Sequence, residues 1–262
     1  MAVNVPKEAP EVTSLKKDVL DKAENSIINV FPKKIQELGE VLQGSMFSLS
    51  DPSQIHCELN IPSQLTTPTN NCNGDPSNEL GSKKRKLDTD RTVADVYGNL
   101  IQQPDGQKVV PSFNEVIGCN PKLETIVDYL KPQIITVIKH CSNIKLWIQL
   151  MIPKIEDGNN FGVSIQEDIL SEVTKAESDA SSYLDQTTRY FSCRAQMLKK
   201  LIKYPHLTDF RRAINEYDEK VFFSFQLILT ELRNIYVVLY DVIIKNYLKL
   251  KTPRSTNSSS LY

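Results

Sequence analysis

Residues 168–191 of the chain are DILSEVTKAESDASSYLDQTTRYF. Apolar or small side chains recur there in alternating steps of three and four, and charged or hydroxyl side chains occupy the positions between them. This spacing is typical of an α-helix that packs one narrow face against a neighbour. The pattern predicts a long helix with these inward residues: Ile169, Val173, Ala176, Ala180, Leu184, Thr187, Phe191, Ala195, Leu198 and Ile202.

The region before this helix contains two further helical patterns. Helical spacing runs from Val12 to Leu42, and Pro32 within it should bend the helix near Ile28. The second pattern opens at Asn120-Pro121, which supplies an N-cap residue followed by a proline at the first helical position. We expect that helix to end before Pro153.

The C-terminal pattern predicts a fourth helix. It opens near Thr208-Asp209, where a capping oxygen and an early acid suit a helix N-terminus, and it ends before Pro253. Four long helices without a credible strand place the chain in the all-α class, as a four-helix bundle. A final helix this apolar on all sides favours burial by a neighbouring subunit as well, and hence an oligomer.

No periodicity is visible between residues 44 and 118. This stretch contains six of the nine glycines and six of the fourteen prolines. A connection of roughly 75 residues far exceeds the usual ceiling of about 15, so we expect a flexible, disordered insert. The predicted organisation is helix one in 1–43, the insert in 44–118, helices two to four in 119–252, and a flexible tail in 253–262.

Composition excludes several classes of protein. The chain has 262 residues and a formal net charge of −1, so no global charge attracts it to nucleic acid or to an anionic membrane. The N-terminus lacks a signal-peptide pattern, and five widely spaced cysteines suit reduced thiols in the cytosol or nucleus. The most apolar stretch, 221–244, contains Glu231 and Arg233 near its middle, which disfavours a membrane span.

The linker between helices two and three is the main candidate site. Its glycines and asparagines allow a tight turn, and its aromatic residue is unusual in an otherwise polar turn. From the residues alone, an ordinary helix-helix turn remains the alternative. The linker consists of Lys154, Ile155, Glu156, Asp157, Gly158, Asn159, Asn160, Phe161 and Gly162.

Other chemistry fits this linker poorly. It lacks the Gly-Lys-Ser or Gly-Lys-Thr of a phosphate-binding loop. A calcium loop starting at Asp157 would have Phe161 at a ligand position and Asp168 in place of the usual bidentate glutamate. Adjacent carboxylates on a turn are commonly just solvated, so we predict no catalytic residues, no metal and no cofactor.

Three other features are candidate sites. His140 and Cys141 are adjacent on a helix and point about 100° apart, which favours a buried cysteine and a partly exposed histidine over a nucleophile pair. The basic run Lys83, Lys84, Arg85 and Lys86 favours a nuclear import signal over a solvated charge run or nucleic-acid contact. The last residues, Leu261 and Tyr262, suit capture of a C-terminus by a partner's pocket.

Several passages together resemble the REG, or eleven-S, family of proteasome activators, and most of all its gamma-type nuclear member. The loop passage is highly specific, whereas the helix patterns alone are not. The passages are Phe31-Pro32-Lys33-Lys34-Ile35, residues 152–167 around the linker, Ser182-Tyr183-Leu184-Asp185-Gln186, Lys203-Tyr204-Pro205-His206, Glu231-Leu232-Arg233-Asn234 and the closing Leu261-Tyr262.

This resemblance implies a non-enzymatic, ATP-independent activator. Its homoheptameric ring would sit on the outer ring of the core proteasome, with Leu261 and Tyr262 as the docking tail. Lys154 to Gly162 would form the activation loop that opens the gate, with Asn159 at its centre. A nuclear import receptor would be a further partner, and the location would be the nucleus, with the cytoplasm as an additional compartment.

The sequence departs from the family pattern at one position, and one alternative function stays open. Family members often carry a lysine two residues after the arginine that matches Arg194, on the channel-facing part of helix three, but here the channel-lining candidate is Gln196. This leaves open which peptide bonds are accelerated. The alternative function is a nuclear helical adaptor that binds proteins without opening a gate.

Overall fold

The computed structural model describes residues 9–59, 117–153 and 162–253, and these parts contain helices and no strand. The all-α four-helix bundle is therefore confirmed. The first helix of the bundle has two segments joined by a π-helical turn at Ser26–Val30. The α-helices are α1 Pro10–Asn25, α2 Phe31–Gln43, α3 Pro121–Met151, α4 Val163–Lys203 and α5 Thr208–Lys251.

The first helix is irregular near Ile28, where the sequence predicts a bend. Pro32 is the second residue of α2, and the π-helical turn immediately before it contains Ile28. A π-helical turn inserts one residue into the helical repeat, so the chain passes the missing amide of Pro32 without leaving the helix. Phe31 remains fully buried at this point.

Sequence signals also explain most helix ends. The side chain of Asn120 accepts from the amides of Lys122 and Leu123, which confirms the predicted N-cap of α3. Helix α4 ends at Lys203 with Tyr204 as its C-cap, as the following Pro205 requires. The capping role expected near Thr208 is wrong, because Leu207 occupies the cap position and Thr208 is already the first helical residue.

The buried face of α4 keeps a strict seven-residue repeat. Gln166, Val173, Ala180, Thr187, Arg194 and Leu201 are all buried, and each lies seven residues after the one before. The predicted face matches as far as Thr187, after which the prediction drifts by one residue, because Tyr190 is buried and Ala195 is exposed. A seven-residue repeat corresponds to 3.5 residues per turn, which is the spacing of helices that supercoil around each other.

Helix α5 carries two such repeats and packs against α2, α3 and α4. It is therefore buried over a wider face than α4. One repeat is Asp218, Phe225, Leu232 and Leu239, and the other is Phe222, Leu229, Tyr236, Ile243 and Leu250. No helix in the described ranges is both long enough and apolar enough to cross a membrane.

Part of the predicted insert packs on the bundle. Phe47 and Ile55 lie in the hydrophobic core, 3% and 2% exposed. Chain contacts divide the molecule into two units, residues 1–59 with 118–262 and residues 60–117, and Ile117 is the described residue of the second unit. The packed chain thus continues beyond Gln43 to about Leu59, whereas residues 60–116 lie outside the described ranges.

A half-buried histidine of α3 packs between the first helix and α5. His140 Nδ1 is 3.0 Å from the hydroxyl of Tyr236, and the His140 ring packs against Phe31 at a centroid distance of 5.7 Å. Burial, assisted by the charge of Lys34, lowers the pKa of His140. The folded protein therefore favours the neutral imidazole.

This arrangement predicts a loss of stability on acidification. Because the folded-state pKa is lowered, the favourable contribution is present above about 6.5, the usual value, and is lost as the pH falls through the folded-state pKa. His140→Gln should have a smaller fall in Tm between about pH 7.5 and about pH 5.5 than the wild type. His206→Gln, at an exposed histidine, is the control and should keep the wild-type pH dependence. Equal falls in all three proteins would contradict the assignment.

Candidate functional site at the loop and tail end of the bundle

The end of the predicted activation loop lies beside the start of the predicted docking tail. Gly162, the last loop residue, precedes α4 with a left-handed φ of 84°. A Cβ atom at Gly162 would lie 2.2 Å from the carbonyl oxygen of Pro253, so a side chain there is sterically excluded. Glycine is required at this position both by the backbone angle and by the close approach of the tail base.

Gln166 joins three helices at the same end. Its side chain is fully buried, and its Nε2 donates to the carbonyl oxygen of Met151 at 3.0 Å and to that of Leu250 at 2.7 Å. These carbonyls lie at the C-termini of α3 and α5, where helices have oxygens without intrahelical partners. One amide from the first turns of α4 therefore satisfies both helix ends.

An ion pair ties the first helix to this end. Lys251 Nζ lies 2.7 Å from Glu24 Oε1, and the Lys251 ammonium also lies over the ring of Tyr247. Partial burial would raise the pKa of Glu24, but hydrogen bonds from Lys251 and Tyr247 outweigh burial and lower it. Lys251 is two residues before Pro253, so the pair holds the base of the tail against α1.

Most predicted site residues lie outside the described ranges. This applies to the loop from Lys154 to Phe161, to the tail residues Leu261 and Tyr262, and to the basic cluster Lys83, Lys84, Arg85 and Lys86. These roles stay predictions. Gln196, the channel-lining candidate, lies on an exposed part of α4.

The opposite end of the bundle contains a buried polar network. Asp218 is its centre, accepting from Asn120 Nδ2 at 2.9 Å, Tyr190 Oη at 3.1 Å and Arg194 Nε at 3.2 Å. Arg194 is 3% exposed and Asp218 is fully buried. Burial, together with the charge of Asp218, raises the pKa of Tyr190, so its phenol stays protonated and donates.

This network also holds the chain on both sides of residues 60–117. Asn120 Nδ2 donates to the carbonyl of Ile55, Arg194 Nη1 donates to that of Gly118, and Arg194 Nη2 is 3.0 Å from Cys57 Sγ. Arg211 also donates to the carbonyl of Leu59. The network fixes the flanks of the 60–117 segment to α4 and α5.

The other enzymatic candidates have no catalytic geometry. Cys141 is buried, and burial, with a contribution from the charge of Glu177, raises the pKa of its thiol to about 12. His140 interacts with Tyr236 instead. Within the described ranges, no group of three or more His, Cys, Asp or Glu side chains could hold a metal ion.

Neither buried polar centre is predicted from the sequence. Gln166 belongs there only to the loop passage, and Arg194 serves only as the reference position for Gln196. Asp218 and Gln166 both lie on the seven-residue repeats of their helices, where the neighbouring repeat positions are apolar or small. A polar residue on a buried repeat is a detectable signal, because burial requires it to find a partner.

The fold and these contacts define a class of protein: an all-helical bundle in which Gly162, at the end of a helix-connecting loop, lies beside Pro253, at the start of the C-terminal segment. The sequence matches the family models described as "Proteasome activator PA28, N-terminal" over residues 6–63 and "Proteasome activator PA28, C-terminal" over residues 116–260. The chain belongs to the PA28 family of proteasome activators, which regulate a protease and are not enzymes themselves.

Relatives and solved structures agree with this assignment. The chain is 41% identical to proteasome activator complex subunit 3 of Gallus gallus, over 98% of this chain and 97% of that protein. It is also 41% identical to the subunit 3 of Homo sapiens, over 96% and 95% of the two chains. The resemblance to the gamma-type eleven-S activators is therefore confirmed.

The solved structures support the fold alone. The 11S subunit of the Plasmodium falciparum proteasome, PA28, has a TM-score of 0.68 at 24% identity and covers 96% of this chain and 100% of that one. A mutated P26 activator, solved in complex with the archaeal 20S proteasome, has a TM-score of 0.59 at 12% identity over 98% of this chain and 100% of that one.

We expect the buried network to be a large contributor to stability. Asp218→Ala should lower the free energy of unfolding by about 3–5 kcal/mol, because it leaves Arg194 buried without its partner. Replacing both partners, Arg194→Met with Asp218→Leu, should cost less than Asp218→Ala alone. The measurement is chemical denaturation at one fixed protein concentration.

The control is the exposed pair Lys245–Asp241, with a separation of 2.6 Å. Asp241→Ala should cost less than about 1 kcal/mol, since exposed ion pairs contribute little. If Asp218→Ala and Asp241→Ala had the same cost, the network would not have the stabilising role that its burial indicates.

Proposed function

We propose that this protein is an ATP-independent activator of the core proteasome that assembles as a homoheptameric ring, docks by its C-terminal tails and opens the gate with the loop from Lys154 to Gly162. Family membership supports activation. The observation that carries the mechanism is the contact of Gly162 with Pro253, since it brings the loop and tail bases to one end of the subunit. One docking surface then serves for both binding and opening.

An exposed apolar stripe on α5 supports assembly into a ring. Helical geometry places its side chains on one face, within about 120° around the axis. Two of them are strongly exposed in the single subunit, Leu227 at 64% and Leu248 at 80%. Covering this stripe with a second copy would remove apolar area from water. The stripe comprises Phe223, Leu227, Val237, Val238, Ile244 and Leu248.

A ring makes weak tails effective. Once one tail of a ring is docked, each later tail binds intramolecularly at a high effective concentration. Leu261 and Tyr262 therefore need only modest individual affinity. The loop can then act by contact and shape, with Asn159 at its centre, and no nucleotide is required.

A loop variant and a tail variant should have different defects, one in stimulation and the other in binding. The wild type should stimulate peptide hydrolysis by a latent core proteasome, and native mass measurement should give seven chains of 29.7 kDa each. Asn159→Tyr should still bind but fail to stimulate, because it changes the contacting part of the loop. Deletion of Leu261 and Tyr262 should weaken binding itself, while Ser258→Ala, upstream in the same tail, should leave binding unchanged.

The results that would contradict this proposal are distinct. No stimulation by the wild type would overturn activation, and a ring that binds the proteasome without stimulating it would favour the adaptor. If Asn159→Tyr and the tail deletion lost binding equally, the division between opening and docking would be wrong. A monomer or dimer by mass would overturn the ring.

We also propose that the basic cluster Lys83 to Lys86 binds a nuclear import receptor and places the protein in the nucleus, with a further cytoplasmic pool. Replacing all four residues by alanine should move a fluorescent fusion toward the cytoplasm. The matched control replaces Lys16, Lys17, Lys22 and Lys33 in the first helix by alanine, which removes equal charge. A nuclear fraction that is unchanged by loss of the cluster, or equally reduced in the control, would refute this role.

A further inference from the structure

The amide of Gln166 makes hydrogen bonds that a core residue does not need. An apolar side chain of similar length would fill the same buried space without polar cost. Gln166 is instead fully buried with Nε2 bonded to two helix ends, and its Oε1 has no donor among the described residues. Burial of an unpaired amide oxygen is unfavourable, so the two bonds made by Nε2 must offset this cost.

The two bonded carbonyls have special positions. Met151 ends α3, and the loop begins three residues later at Lys154. Leu250 lies one residue before the end of α5, and the tail begins at Pro253. Gln166 therefore fixes the start of the loop and the start of the tail to the same rigid turn of α4.

Gly162 joins the other end of the loop to the base of the tail. It ends the loop, and its backbone lies so close to that of Pro253 that no Cβ atom fits between them. Both ends of the loop are thereby attached to the base of the tail, one through Gln166 and the other through Gly162. The Gln166 hydrogen bonds and this close backbone packing each connect the tail base to one end of the loop.

We propose that Gln166, supported by Gly162, is a positioning residue that couples the docked tail to the activation loop. This inference rests on the proposed function, in which the tails bind and the loop opens the gate. With the coupling intact, the two ends of the loop are held at a fixed position relative to the tail base, and the loop is supported against the gate segments that it displaces. An uncoupled loop yields to them while the tail stays bound.

Gln166→Met tests the coupling, because it keeps the length and apolar volume of the side chain but removes both donors. The maximal stimulation of peptide hydrolysis at saturating activator should fall by about tenfold, the factor equivalent to about 1.4 kcal/mol. The activator concentration that gives half-maximal stimulation should change by less than about threefold, since the tail residues themselves are intact. Native mass measurement should confirm that the ring persists.

Thr187→Val is the matched control. Thr187 is fully buried on the same repeat of α4, and its hydroxyl donates to the Leu184 carbonyl at 2.7 Å, far from both loop and tail. Its loss removes a partly buried hydrogen bond without changing the contacts of Gln166, Gly162 and Pro253. Thr187→Val should therefore lower Tm but leave the maximal stimulation unchanged.

A second variant keeps the test decisive if Gln166→Met does not fold. Gly162→Ala should displace Pro253 and also reduce maximal stimulation more than it affects the half-maximal concentration. Gly39→Ala is its control, because a Cβ at Gly39, within α2, meets nothing within 4 Å. Gly39→Ala should behave like the wild type in the hydrolysis assay.

The inference and the proposed function fail in different ways. A wild type that does not stimulate hydrolysis would overturn the proposed function itself. A stimulating wild type with unchanged maxima for Gln166→Met and Gly162→Ala would leave the proposed function intact and overturn the coupling. An equal fall for Thr187→Val would also overturn it, since general destabilisation would then explain the loss.

Discussion

The packing of α4 against α5 along seven-residue repeats is the constraint on which the other features depend. Helix α4 spans 41 residues and α5 spans 44, and their buried repeats run from Gln166 to Leu201 in α4 and from Asp218 to Leu250 in α5. A helix with 3.6 residues per turn would rotate its buried face by about 20° per repeat, so the pair must supercoil to stay in contact. This packing fixes the register of the two helices at both of their ends.

Because the register of α4 against α5 is fixed, buried polar contacts can form near the ends of the two helices. Gln166 reaches Leu250 across 84 residues of sequence, and Arg194 reaches Asp218 across the turn between α4 and α5. A shift by one helical turn, about 5.4 Å, would break every one of these bonds. Because the unpaired groups would remain buried, the polar ends also disfavour shifted packing, which an apolar seam alone tolerates more easily.

Local signals explain why much of the fold was predictable. Proline and N-cap residues act within a few positions, so Asn120, Pro153 and Pro205 placed helix ends from the sequence alone. Pro32 likewise predicted an irregularity near Ile28, but the predicted form was a bend, whereas the structure has a π-helical turn there. The predicted buried face of α4 departs from the observed one after Thr187 for a different reason. Whether a helix has 3.5 or 3.6 residues per turn depends on its packing against the partner helix, and the sequence of one helix does not show this.

The candidate site was predictable in part. The glycine at position 162 and the aromatic Phe161 marked the loop, since turn chemistry is local. Gln166 and Asp218 were not assigned, because their partners are distant in sequence and only folding brings them together. A polar residue on a buried repeat indicates that a partner exists, but its identity depends on the topology of the whole bundle.

The two polar ends of the bundle differ in the chain segments that begin there. Residues 60–117 begin near Asp218, and the loop and the C-terminal tail begin near Gln166. The network around Asp218 holds the flanks of residues 60–117 some 45 Å from the loop, a distance set by the 31 residues of α3 at about 1.5 Å each. That end therefore cannot contribute to the surface formed by Gly162 and Pro253. Under the proposed function, binding energy gained by a tail would be useful for opening only if the connection to the loop is stiff, since a compliant connection would absorb it as motion. The contacts that would supply this stiffness are the hydrogen bonds of the Gln166 amide and the close approach of Gly162 to Pro253.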